Sequence, residues 1–143
     1  MLKPDLSIMQ LAIDKASQKK TPFAAAIASG DQVYATAVHP ISSLNDTASH
    51  AEKKVLEELG SLIHITEYSG FSLYSTCEPC PACLNTAKQS KVNAIFFGCS
   101  REFLSRFLDQ NRFEYSFPSS PTIVTQGGVL EEPCKELVKK LLH

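Results

Sequence analysis

The sequence lacks the features that mark membrane and exported proteins. No apolar run approaches the roughly 18 residues of a membrane-spanning helix. The start Met-Leu-Lys-Pro-Asp has neither the apolar centre nor the small-residue cleavage site of a secretory signal. Internal repeats, linkers and low-complexity segments are also missing, so residues 1–143 are expected to form a single domain. We expect a cytoplasmic location and no membrane partner.

An excess of charge of one sign is lacking as well. Lysine and arginine number 14 against 15 aspartates and glutamates, which leaves a net charge of −1. Proteins that bind a nucleic acid backbone usually present a basic surface. The composition therefore makes a nucleic acid partner less expected than a small molecule.

The five cysteines do not suggest a disulfide framework, because their number is odd and three of them are close together. Cys77, Cys80 and Cys83 follow one another at three-residue intervals, which indicates metal or redox chemistry. Cys99 and Cys134 stand apart from this group, and we expect them to be buried thiols.

Hydrophobic periodicity predicts an α/β protein. In the first half we expect a helix over 5–19, strands over 23–29 and 32–38, a loop over 39–47 and a helix over 49–59. In the second half we expect a strand over 71–76, a helix over 80–89, a strand over 92–98, a helix over 101–108, a loop over 109–121, a strand over 122–125 and a helix over 130–142. This β-α-β-α alternation favours a largely parallel central sheet with helices on its faces.

Two short motifs, each at a predicted helix start, carry the ligands of a catalytic zinc site. Cys80 and Cys83 are three residues apart and lie on the same side of the first turn, where unpaired N–H groups favour thiolates. His50 begins the other helix. One imidazole and two thiolates leave Zn²⁺ a fourth position for water, whose pKa such sites lower to about 7.

Glu52 follows His50 by two residues and cannot share its helix face, since two steps turn the chain by roughly 200°. We therefore do not assign it as a ligand. Its carboxylate would instead carry protons from the water to a ring nitrogen and to the leaving amine. That role requires a pKa above the ordinary value of about 4.3.

Two other interpretations of the cysteines stay open. A Cys-x-x-Cys in a cytoplasmic chain also occurs as a redox pair. If Cys77 served as a fourth ligand, the zinc would be structural, and the protein would be a non-catalytic zinc-stabilised interaction module.

These motifs resemble the signature of the zinc-dependent cytidine deaminase superfamily, His-x-Glu followed by Pro-Cys-x-x-Cys. The stretches 45–52 and 76–83 are most similar to guanine deaminases and tRNA adenosine deaminases, and the likeness extends over about residues 5–108. The resemblance implies a three-layer α/β/α fold around a five-stranded mixed sheet and a homo-oligomer, usually a dimer. It also implies Zn²⁺ bound by His50, Cys80 and Cys83, with Glu52 as the proton carrier.

The resemblance further implies substrate contacts from Phe23, His39, Asn45 and Asp109. His39 occupies a position at which these families commonly carry an asparagine that binds the base, and an imidazole can donate or accept a hydrogen bond there. The expected reaction is hydrolytic deamination of a free purine base or a related aminated heterocycle, with release of ammonia. A tRNA adenosine deaminase is the alternative within the same chemistry, and lysines 135, 139 and 140 would then contact phosphates.

Overall fold

The computed structural model describes residues 3–39, 54–58, 70–79, 83, 87–107 and 124–142. Its strands within these ranges are β1 (Phe23–Ser29), β2 (Gln32–His39), β3 (Ser72–Cys77), β4 (Ala94–Cys99) and β5 (Val124–Gln126). Its bounded helices are α1 (Leu6–Gln18), α2 (Arg101–Leu104) and α3 (Glu131–Leu141). Helical backbone also occurs at 54–58, at Cys83 and at 87–89.

The strands form one mixed sheet in the order β2-β1-β3-β4-β5. Strand β1 is antiparallel to both β2 and β3, whereas β3, β4 and β5 run parallel to one another. The β1–β2 hairpin turns at Gly30, whose φ of +62° is a conformation that glycine adopts without strain. The expected five-stranded mixed sheet is confirmed. The alternation pattern predicted the parallel half, and the hairpin accounts for the antiparallel half.

Helix α1 covers one face of the sheet. It begins after Asp5, whose carboxylate accepts a 3.0 Å hydrogen bond from the backbone N–H of Ser7 and so caps the helix start. The buried face of the helix packs against alanines of β1, and these small side chains allow close approach. Members of this contact are Ile8, Met9, Ala12, Ile13, Ala16, Ala24, Ala26 and Ala28.

A second core cluster forms around the alternate strand residues Ala25, Ile27, Leu73 and Ile95. It includes Val55, Leu56 and Ala87 from the helical segments between β2 and β4. Because residues of opposite parity in β1 belong to the two clusters, helices cover both faces of the sheet. This arrangement confirms the three-layer α/β/α expectation. Along the described ranges, no helix has the length and apolar character needed to cross a membrane.

Several predicted element ends differ from the structure, most of them by one or two residues, and two of the differences have a physical reason in the described contacts. The sequence predicts a loop from residue 39, but β2 continues through His39, which pairs with Phe23. Helix α2 ends at Leu104 instead of residue 108, because Arg106 and Phe107 donate to carbonyls three residues back and tighten the last turn. The predicted loop over 109–121 lies outside the described residues.

Candidate active site

One edge of the sheet collects the described residues of the predicted site. Strand β1 begins at this edge, and β2, β3 and β4 end there, since β1 is antiparallel to β2 and β3 while β4 is parallel to β3. The register pairs Phe23 with His39 and Cys77 with Cys99. Side chains from four strands therefore meet at the edge from which the chain leads toward Cys83.

Phe23 and His39 form a wall of aromatic rings at this edge. Their ring centroids are 6.1 Å apart and the planes meet at 63°, an edge-to-face arrangement. His39 is 5 % exposed, so its imidazole is largely removed from solvent. The structure therefore brings together two of the four predicted substrate residues. Asn45 and Asp109 lie outside the described residues.

Cys83 is the described member of the predicted zinc ligand set. It is helical and buried, at 2 % exposure. A buried sulfur at this place fits the soft donor that zinc prefers. His50, Cys80 and the proton carrier Glu52 lie outside the described residues, so their placement stays a prediction.

Lys54 connects the helical segment 54–58 to β2. Its ammonium group donates a 3.3 Å hydrogen bond to the carbonyl of Val38, the residue before His39. The helical segment that follows His50 and Glu52 in the chain is thereby held beside the end of β2. The two residues are 16 positions apart, so no local sequence pattern predicted this contact.

Cys77 belongs to the hydrophobic core. It is the last residue of β3. Its sulfur lies 3.5 Å from the sulfur of Cys99 and 3.7 Å from the carbonyl oxygen of Pro22. Both Cys99 and Cys134 are buried, as expected from the sequence. The pKa of Cys134 is raised to about 12, mainly because the thiol is buried and secondly because it lies near Cys99. This thiol therefore stays protonated near neutral pH.

These core thiols do not form a metal site of their own. In the part of the chain that the structure describes, no group of three or more His, Cys, Asp or Glu side chains is arranged to hold a metal ion. Cys77 thus packs in the core against Cys99. The closed structural site considered from the sequence also needs His50 and Cys80, which lie outside the described residues.

Glu78 fixes the segment that leads from β3 toward Cys83. Its backbone N–H donates to the Cys99 carbonyl at 2.8 Å, and its carboxylate accepts a 3.0 Å bond from the N–H of Arg101 at the start of α2. The segment is therefore held against the end of β4. No local sequence pattern signals these contacts, because the partners are more than twenty residues away.

Two buried threonines, Thr21 and Thr76, were also missed by the sequence analysis. Their hydroxyls bind backbone groups on either side of Phe23. The only local sign was Thr76 in a strand directly before the cysteine motif. A buried hydroxyl and an exposed one look the same in a sequence.

Comparison with known proteins places this architecture in a family. Residues 2–99 match the family model described as cytidine and deoxycytidylate deaminase zinc-binding region. The chain is 24 % identical over 115 residues to guanine deaminase of Bacillus subtilis (strain 168), covering 73 % of this chain and 74 % of the relative. It is 29 % identical over 128 residues to the tRNA-specific adenosine deaminase of the same organism, covering 84 % and 75 %.

A solved structure agrees with this chain in fold. A guanine deaminase structure from Nitrosomonas europaea superposes with a TM-score of 0.84 at 17 % identity, covering 99 % of this chain and 86 % of that one. The chain spans only 11 % of the length of a chloroplastic tRNA(adenine(34)) deaminase of Arabidopsis thaliana, to which it is 24 % identical over 140 residues. The family match covers more than half of the sequence and includes both motifs. The chain therefore belongs to the zinc-dependent cytidine and deoxycytidylate deaminase family, and its cofactor is Zn²⁺.

Proposed function

We propose that this protein hydrolytically deaminates a free purine base or a closely related aminated heterocycle and releases ammonia. The observation that carries the proposal is the wall formed by the partly buried Phe23 and the buried His39, at the sheet edge from which the chain leads to Cys83. A planar ring can pack against such a wall, and its polar edge can bond to the imidazole. The similarity to guanine deaminases and the near-neutral net charge support the same substrate class.

The proposed reaction adds water at the amine-bearing carbon and breaks its C–N bond. His50, Cys80 and Cys83 would hold the zinc, which when bound lowers the pKa of a water molecule and so supplies a nucleophile near neutral pH. Glu52 would take one proton from the water and deliver it to a ring nitrogen. It would then take the second proton, from the hydroxyl now bonded to the carbon, and pass it to the leaving amine as the C–N bond breaks. The products are the oxo-heterocycle and ammonia, so atoms and charge balance.

His39 would bind the polar edge of the substrate ring. Its carbonyl is occupied by Thr21 and its ring contacts Phe23, so the residue is fixed in place at the end of β2. A neutral imidazole offers one donor and one acceptor on opposite sides of the ring. We propose that Asn45 and Asp109 add further substrate contacts.

Ammonia release from zinc-loaded enzyme tests the proposal. The panel contains aminated purines, pteridines, triazines and pyrimidines, each with wild type and the His39→Asn variant. We expect turnover of a purine or near relative and a changed ranking of substrates in His39→Asn. The proposal fails if no free heterocycle is deaminated. An unchanged ranking would remove His39 from substrate recognition.

Deamination of tRNA adenosine is the second candidate, favoured by the relatives of that name. Two of the three lysines of α3 that would contact phosphates lie beside carboxylates, however. Lys135 lies 3.4 Å from Glu131 and 4.0 Å from Glu132, and Lys139 lies 3.6 Å from Glu136. Neighbouring carboxylates thus offset the charges of these two lysines. Salt-sensitive binding and deamination of a tRNA anticodon arm would support this candidate instead.

A zinc-stabilised interaction module without catalysis is the alternative from another functional class. It would need a fourth protein ligand, and the one considered from the sequence, Cys77, packs in the core against Cys99. A dimer is proposed from the resemblance alone, and light scattering of the zinc-loaded protein tests it. The cytoplasmic location and single-domain organisation stay predictions.

A further inference from the structure

Thr21 links the end of β2 to the start of β1. Its hydroxyl donates a 2.6 Å hydrogen bond to the carbonyl of His39 and accepts a 3.2 Å bond from the N–H of Phe23. The side chain is 1 % exposed. Its own N–H donates to the carbonyl of Ala16 at 3.0 Å, near the end of α1. Thr21 therefore fixes the two wall residues relative to each other and to α1.

Thr76 holds the same segment from the side of β3. Its hydroxyl donates to the carbonyl of Pro22 at 2.6 Å and accepts a 3.0 Å bond from the N–H of Ala24, 52 residues away. The residue is completely buried. The described β1–β3 register runs from Ala25 opposite Ser75 to Ala28 opposite Ser72. Beyond Ala25, the Thr76 hydroxyl therefore supplies bonds to the start of β1.

The two hydroxyls together bind the backbone immediately before, at and after Phe23. Each hydroxyl carries a single proton, so each has one donor bond and can accept at least one more. Thr21 uses its proton on the residue opposite Phe23, and Thr76 uses its proton on the residue before it. Since both threonines are buried, water cannot replace these bonds without opening the core. The position of the Phe23 ring therefore depends on both hydroxyls.

We propose that Thr21 and Thr76 are positioning residues for the base pocket, acting through Phe23 and His39. The inference rests on the proposed function, in which those two rings contact the substrate. Neither threonine takes part in the chemistry. Their hydroxyls set the separation and tilt of the Phe23–His39 wall, and so the fit of the heterocycle.

Kinetics of Thr21→Val and Thr76→Val on the deaminated heterocycle test this proposal. Valine keeps the shape of threonine and removes the hydroxyl. We expect KM to rise roughly tenfold, the effect of losing one to two buried hydrogen bonds. We expect kcat to stay within about twofold, because a misplaced wall weakens ground state and transition state alike. Thr21→Ser and Thr76→Ser keep the hydroxyl and should restore KM.

Thr36→Val is the matched control, since Thr36 is a half-buried threonine of β2 farther from the site edge. It should leave KM unchanged. Thermal unfolding of every variant sets an assay temperature at which all are folded. In a Phe23→Leu background, Thr76→Val should raise KM by less than about twofold, because the residue through which it acts has gone. An unchanged KM in both valine variants, or serine variants no better than valine, would overturn the proposal.

A second measurement separates this proposal from the proposed function. The ring signals of His39 can be assigned by NMR, because among the signals of the four histidines they are the ones lost in the His39→Asn variant. We expect Thr21→Val and Thr76→Val to shift these signals and Thr36→Val to leave them in place. If wild type deaminates no base yet the signals shift, the proposed function fails, and what stands is that the two hydroxyls position the Phe23 and His39 rings. If wild type is active and the signals do not shift, the positioning role fails alone.

Discussion

Gly98 in β4 should tolerate no larger residue, because α3 packs directly on its backbone. A β-carbon added there would overlap the sulfur of Cys134. It would also lie 2.7 Å from the β-carbon of Cys134 and 2.8 Å from the carbonyl oxygen of Thr76. Favourable contacts between carbon atoms require about 3.5–4.0 Å. The Gly98→Ala variant must therefore move α3 by roughly 1 Å or distort β4.

Overpacking of a core by one methyl group costs about 1–3 kcal/mol. We expect Gly98→Ala to fall near 3 kcal/mol, because the Thr76 carbonyl belongs to the central strand β3 and cannot rotate away. For a chain of this length that loss lowers the melting temperature by roughly 10 °C. Urea unfolding of the zinc-loaded protein, followed by circular dichroism, measures the free energy of unfolding.

A double-mutant cycle with Cys134→Gly identifies the cause. Removing the Cys134 side chain leaves the Thr76 carbonyl as the remaining close contact described for the added methyl group. Gly98→Ala should then cost at least about 1 kcal/mol less than it does in wild type. A loss below about 0.5 kcal/mol in the single variant would refute the packing argument. Strict additivity of the two substitutions would also refute it.

Two other outcomes follow from the account. The Glu52→Ala variant should retain zinc and the circular dichroism spectrum of the folded protein, but its kcat should fall at least about a hundredfold. If the variant turned over substrate at the wild-type rate in samples with the same zinc content, Glu52 would be excluded as the proton carrier. Asp5→Ala should destabilise the protein by about 0.5–1 kcal/mol at neutral pH through loss of the α1 cap. Hydrogen bonding from the Ser7 hydroxyl is the main cause that holds the pKa of Asp5 below its ordinary 3.8. The stabilisation that the Asp5 cap contributes to the folded state is therefore fully present above a pH of about 4. It is lost as the pH falls through the lower pKa that Asp5 has in the folded state. A wild-type advantage that grows with acidification would contradict this assignment.

The regular elements were predictable because their periodicity is local. The nearly continuous burial of β1 and β3 and the apolar face of α1 follow from residues only a few positions apart. The β1–β2 turn was predictable from Gly30 and Asp31. Both metal motifs were recognisable from residue type and spacing alone, since the zinc ligand set is defined by chemistry and helix geometry.

The site edge was less predictable because distant strands build it. His39 looked like a loop residue, yet pairing with Phe23 makes it the buried end of β2. The contact of Cys77 with Cys99 depends on the parallel register of β3 and β4, and the Thr76 bonds depend on that of β1 and β3. Local periodicity contains no information on register, so these contacts required the structure.

The central claim is a zinc ion held by one nitrogen and two sulfur ligands with a position left for water. Metal analysis combined with zinc-edge X-ray absorption of the purified protein tests it most directly. The account predicts about one zinc per chain with two sulfur and two nitrogen or oxygen neighbours, and loss of one sulfur in Cys83→Ser. Two results would contradict it. One is a purified protein that is folded without zinc, and the other is a zinc ion whose four ligands are all cysteine sulfurs or histidine nitrogens, with no oxygen neighbour.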